Sequence, residues 1–154
     1  MKNQKGFTII EHLVVAIIIG IFAAIVIPSL LLSLRAANEA SAVSNLRTVH
    51  MANATFAATQ NTNGYFAPNF AGLTSAAGLL DDSWTGRPVK NTYIFAYSVN
   101  SATAPTAYCV RARSVDVSAK QYAVATDGTI YSGTTAAPVT CAAGVRSGGT
   151  VVGS

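Results

Sequence analysis

The sequence predicts an α+β chain: one long N-terminal helix, transmembrane over its first half, packed on a small antiparallel sheet of three or four strands. Three observations carry that prediction. From His12 to Leu34 no residue is charged and the run is almost wholly apolar, and about 20 such residues cross a bilayer as a helix. Beyond Arg35 the apolar residues fall on one side of a helical period. After Asn91 aromatic and β-branched residues alternate with smaller ones, as in half-buried strands.

Composition agrees with this division. Of 154 residues, 51% are hydrophobic and 10% charged, against about 25% charged in an ordinary soluble domain. The formal charge of +4 is modest, and Lys2 and Lys5 supply part of it from the extreme N-terminus. Net charge is therefore weak ground for nucleic-acid binding. Lysines ahead of the apolar run place that end in the cytoplasm and the rest of the chain outside. Cys109 and Cys141 both fall in the exported part, where a cysteine pair reads as one disulfide.

The helix is predicted from Phe7 to Ala58, roughly 75–80 Å at 1.5 Å per residue. Gly20 and Pro28 are its weak points, since proline lacks a donor and crowds the preceding turn. Leu46, Val49, Asn53 and Phe56, with Val43 at the margin, share the face that packs on the sheet. Gln60 to Gly64 ends the helix. Tyr65 to Gly86 reads as a long, compact loop with a helical turn near Leu79 and Leu80. Strands follow at 92–99, 106–113, 121–126 and 129–132, the last two joined through an Asp127-Gly128 turn. Short connections make the sheet an antiparallel meander. The Gly-rich tail from Ser147 to Ser154 reads as loosely held.

Glu11 is the conspicuous residue of the N-terminal segment, because a carboxylate in hydrocarbon costs several kcal/mol without a partner. A secretory signal peptide has a shorter apolar core than this one, and a plain anchor gives no reason for the carboxylate. The run GFTIIE followed by HLVVAIIIGIFAAIVIP resembles the N-terminus of type IV pilins and type II secretion pseudopilins, over roughly the first 60 residues. That resemblance implies a pilin fold and a basic leader cut by a dedicated prepilin peptidase between Gly6 and Phe7. It also implies N-methylation of Phe7 and pairing of Glu11 with the Phe7 amine of a neighbouring subunit. His12 departs from the apolar residue usual after the glutamate. The resemblance further implies that the helix between Gly20 and Pro28 can stretch on assembly, and it supports the Cys109–Cys141 disulfide.

No catalytic constellation is visible. His12 and His50 have no sequence partners for a triad or a metal set, and no phosphate-binding loop is present. Pseudopilins often bind calcium through an acidic C-terminal loop, but Asp81, Asp82, Asp116 and Asp127 form no dense cluster. No metal or cofactor is assigned. Arg87, Lys90, Arg111, Arg113 and Lys120 could offer phosphate contacts, although such charges usually make a solvated surface. Asn53-Ala54-Thr55 matches a glycosylation sequon but lies mid-helix.

The expected organisation is a leader at 1–6, a transmembrane and filament-core helix at 7–34, and a head at 35–154. The expected function is non-enzymatic: a structural subunit polymerising into a helical surface filament for adhesion, motility or DNA uptake. Two alternatives stay open, a pseudopilin of a short periplasmic pseudopilus and a DNA-binding minor pilin of competence. The resemblance implies as partners further copies of the chain, the prepilin peptidase, and an assembly platform with its ATPase. The chain would reside in the bacterial inner membrane before assembly and in an extracellular pilus afterwards.

Overall fold

The computed structural model describes residues 6–60, 62–116 and 118–152. The leader residues 1–5 with Lys2 and Lys5, Asn61 of the helix-ending turn, and the last two residues of the tail lie outside the described residues. The chain divides into two compact units, Met1–Ala37 and Asn38–Ser154.

The first unit is helical from Ile9 onward. Helix α1 spans Ile9–Thr59, starting two residues later than predicted because Thr8 takes the capping position. It runs unbroken through Gly20 and Pro28. Pro28 has no N–H to return to the preceding turn, and Ser29 Oγ donates to Val26 O at 2.9 Å just beside it. No residue between Gly6 and Ala37 is buried. Ile9 is 88% exposed and Ile25 69%.

In the second unit, α1 turns Ala42, Leu46, Val49, Ala52 and Asn53 into the core, joined by Val43 and Phe56. The predicted face is present, widened by two alanines whose small side chains allow close approach to the sheet.

That sheet has six antiparallel strands, ordered β1-β2-β3-β4-β5-β8. They are β1 (Val89–Lys90), β2 (Tyr93–Val99), β3 (Tyr108–Ser114), β4 (Gln121–Ala125), β5 (Ile130–Gly133) and β8 (Thr150–Val151). Strands β6 (Thr140–Ala142) and β7 (Val145–Ser147) form a separate ribbon. The expected meander of three or four strands is β2 to β5, and the sheet is larger than that count. The added strands are two or three residues long, too short for alternation to register in sequence. The tail also departs from its prediction. Gly148 and Gly149 adopt positive φ and turn Thr150 and Val151 back onto Ser132 and Tyr131 of β5.

Tyr93, Phe95, Tyr108, Val110, Ala112, Tyr122 and Val124 face α1 in the main core. On the opposite face Cys109, Ala123 and Ala125 lie buried with Val139, beneath the ribbon. Strand β4 is thus buried on both faces over all its residues. Cys109 on β3 is bonded to Cys141 on β6, with Cα atoms 5.6 Å apart, which holds the ribbon to the sheet.

The 65–86 segment closes one end of the core. Its helical turns fall at Gly72–Ala76 and Asp82–Trp84, on either side of Leu79 and Leu80 rather than on them. Phe70, Leu73, Leu80 and Trp84 are buried, and the Trp84 ring packs edge-on to Phe95 at 5.1 Å. A loop with this many buried rings is fixed by the core it covers, not by its own backbone pattern.

Candidate assembly segment

The first turn of α1 is tied by a reciprocal cap. Thr8 N–H and Thr8 Oγ–H each donate to Glu11 Oε2 at 2.9 Å, and Glu11 N–H reaches Thr8 Oγ1 at 3.4 Å. This is the capping box expected of Thr-x-x-Glu. Glu11 is thereby held within its own chain, by a residue that the reading of the carboxylate from sequence did not assign. The spacing of threonine and glutamate ahead of an apolar run was the signal for it.

Phe7 is 79% exposed, and its ring meets His12 edge-on with centroids 5.7 Å apart. His12 Nδ1 lies 3.5 Å from Thr8 O. A Cβ added at Gly6 or at Gly20 would meet nothing within 4 Å. Among the described residues no close contact accounts for either glycine. Along α1, the window apolar and long enough to cross a membrane has none of its residues buried.

The basic residues separate into three groups. Arg87, Arg111 and Arg113 line one concavity. Lys90 is drawn away, 3.7 Å from Asp81 and 5.1 Å from the centre of the Trp84 ring. Lys120 lines a different depression beside Ser132 and Thr150. Asp81 caps the turn at Asp82–Trp84 by accepting from Ser83 N–H at 2.9 Å. Its carboxyl is held below the usual range, first by the Ser83 hydroxyl, and Lys90 adds to the effect. Among the described residues no group of three or more His, Cys, Asp or Glu is placed to hold a metal ion.

Glu39, given no role from sequence, proves to be a structural anchor. Its Oε2 accepts from the Tyr122 hydroxyl at 2.9 Å and its Oε1 from Lys120 N–H at 3.5 Å. His50 Nδ1 lies 2.5 Å from the Tyr108 hydroxyl. The sequon asparagine, Asn53, is completely buried.

Residues 1–27 match the family model described as the prokaryotic N-terminal methylation motif. This N-terminal segment is of the type IV pilin and pseudopilin kind. Over 39 residues the chain is 54% identical to the type IV wide pilus major component PilA4 of Thermus thermophilus. That match spans 25% of this chain and 30% of the relative's length. No solved structure matches the chain. The pilin-type motif and the apolar helix behind it fit membrane anchoring and pilus assembly. Pilins as a family are structural rather than enzymatic proteins.

Proposed function

We propose that this chain is a type IV pilin, a structural subunit that polymerises into a helical surface filament. The observation that carries the reading is an N-terminal methylation motif set on a helix whose large apolar residues are all exposed between Ile9 and Leu34. Such a surface is stable only in a bilayer or among like neighbours. In this proposal residues 1–6 are the leader, 7–34 span the inner membrane and then form the filament core, and 35–154 are the head.

Prepilin peptidase would cut between Gly6 and Phe7. Gly6 supports this, because among the described residues no close contact requires a glycine there. Phe7 would then be methylated, and its free amine would sit one helical turn from Glu11. Docking in the membrane would exchange the Thr8 bonds of Glu11 for the charged amine of a neighbouring subunit, an attraction strengthened by low dielectric. A lone buried carboxylate is penalised, so the pairing would also set register. Gly20 and Pro28 are the places where α1 would stretch or admit a neighbouring helix. An assembly ATPase acting through a membrane platform would supply the work of extraction.

The deciding experiment is intact mass and N-terminal sequencing of filaments sheared from the native host. Material beginning at methylated Phe7, two hydrogens lighter for the disulfide, supports the pilin. Processed protein that never reaches surface filaments makes the chain a pseudopilin. Protein that stays in the membrane with Met1 intact overturns processing and assembly together.

A further inference from the structure

Successive residues of β2 turn their backbone groups to opposite edges of the strand. Asn100 N–H donates to Ala107 O at 3.1 Å and Val115 N–H to Thr92 O at 2.9 Å, so the even-numbered residues face β3. The odd-numbered residues face β1, and Phe95 N–H donates to Pro88 O at 2.9 Å. Beyond that bond the edge is open. Strand β1 pairs only with Tyr93 and Ile94, and Pro88 has no N–H to return to Phe95 O. Among the described residues no strand or loop backbone pairs with Tyr97 on this edge.

The open groups face a slot of about 490 Å³, walled by residues 95–97 of β2, residues 69–71 of the 65–86 segment, and Gly86 with Arg87. Phe95 and Tyr97 belong to the helix-facing core whereas Ala96 does not, yet all three line the slot. It therefore lies along the strand edge rather than on one face of the sheet. Folded proteins normally cover or twist away such an edge, because unpaired backbone groups there invite another chain. Here the Phe70 and Tyr97 rings meet edge-on at 5.1 Å, which holds the 65–86 segment beside the edge and leaves the slot between them.

Three features define what fits. A row of open backbone donors and acceptors calls for another extended backbone, as in strand addition to a sheet edge. The slot is closed at its Phe95 end, where Arg87 and Pro88 lead into β1, so a chain that enters must end there. Arg87 stands at that closed end, and among the described residues no carboxylate lines the slot. A guanidinium fork matches the two oxygens of a carboxylate. A chain ending at Arg87 would run antiparallel to β2, in line with β1, and buried Phe70 and Phe95 favour an apolar side chain on its inner side. We propose that the slot between β2 and the 65–86 segment binds the C-terminal end of a partner protein as an added strand, its terminal carboxylate on Arg87. This depends on neither processing nor polymerisation, and the unassembled chain tests it.

The test uses the full-length protein in zwitterionic detergent micelles and a fluorescent six-residue peptide of alternating threonine and valine with a free C-terminal carboxylate. Anisotropy should show this peptide binding about fivefold more tightly than its C-terminal amide, the value of one exposed charge pair. Arg87→Gln should remove that difference and leave amide binding unchanged, whereas Arg111→Gln should preserve it. Two further peptides carry N-methyl groups on alternate amides. Only one alternate set faces β2 in an added strand, so one methylated peptide should bind like the parent and the other should not bind. In hydrogen exchange followed by NMR, saturating peptide should slow the Tyr97 amide about tenfold. Absence of binding by the carboxylate peptide overturns the proposal, as does equal affinity for carboxylate and amide. Equal binding of the two methylated peptides, or an unchanged Tyr97 amide, would mean adsorption to apolar surface instead of strand addition, and overturns it too.

Discussion

The Tyr97 hydroxyl lies 2.6 Å from Asn53 Oδ1 and 2.9 Å from Ala67 O, its proton shared between two acceptors. Asn53 completes the node by donating from Nδ2 to Val49 O at 3.1 Å. One hydroxyl therefore joins α1, the 65–86 segment and the sheet. Among the described residues no buried side-chain polar atom lacks a partner, and this node satisfies the only buried asparagine of the helix. Tyr97→Phe leaves two buried acceptors short of a donor and should cost about 1–3 kcal/mol. Thermal melting of the full chain in micelles checks it, and an unchanged midpoint would show that water replaces the hydroxyl without loss.

Alkaline pH should unfold the head. Tyr93 is pushed up to about 12, by burial first and then by Glu39 and Asp116. Tyr97, Tyr108 and Tyr122 are raised as well, each by burial first, with Tyr108, Asp127 and Glu39 respectively adding to it. Each folded value lies above the unfolded value near 10. Their stabilising contribution is therefore complete below about pH 10 and is lost as pH rises through the folded values. Tyrosinate absorbance followed together with circular dichroism should show ionisation and unfolding advancing together. In Tyr122→Phe the decline should be shallower. Ionisation of all the tyrosines near pH 10 in an intact head would refute this.

The ribbon turn offers a paired test. Ala143 and Gly144 both adopt positive φ, 48° and 72°, as a two-residue hairpin turn requires. Alanine is strained there, so Ala143→Gly should leave the melting point unchanged or raise it, by up to about 1 kcal/mol of stability. Gly144→Ala should do the reverse and more. Its Cβ would fall 2.4 Å from Ala107 O and 2.7 Å from Asn100 N, backbone atoms that cannot step aside. Equal melting points for the two variants would contradict this placement of the ribbon.

The disulfide closes a loop with a sequence separation of 32, worth about 3–4 kcal/mol in the chain-entropy picture. Replacing both Cys109 and Cys141 by alanine should lower the melting point. Amide exchange should then accelerate first in β6 and β7, while β3 and β4, buried in the sheet, remain protected. Uniform acceleration across the sheet would mean that the bridge holds the whole head rather than the ribbon.

Much of this architecture was legible from residues alone because the signals are long. A span with no charge from His12 to Leu34 admits few alternatives to a helix in lipid. The Tyr93-Phe95-Tyr97-Val99 alternation likewise commits β2 to one face. Gly6, Phe7 and Glu11 stand out for the same reason, since they interrupt or border a uniform segment. What sequence could not supply depends on partners distant along the chain. Strands β1 and β8 have two residues each and exist because β2 and β5 offer open edges. Glu39 gained its role only when Tyr122 was folded against it. Arg87, Lys90, Arg111, Arg113 and Lys120 read in sequence as one dispersed set. Strand register instead joined Arg111 and Arg113 with Arg87, gave Lys90 to Asp81, and left Lys120 apart. Local periodicity is written in neighbouring residues, whereas charge pairing and edge closure are decided by three-dimensional proximity, which only the packed head creates.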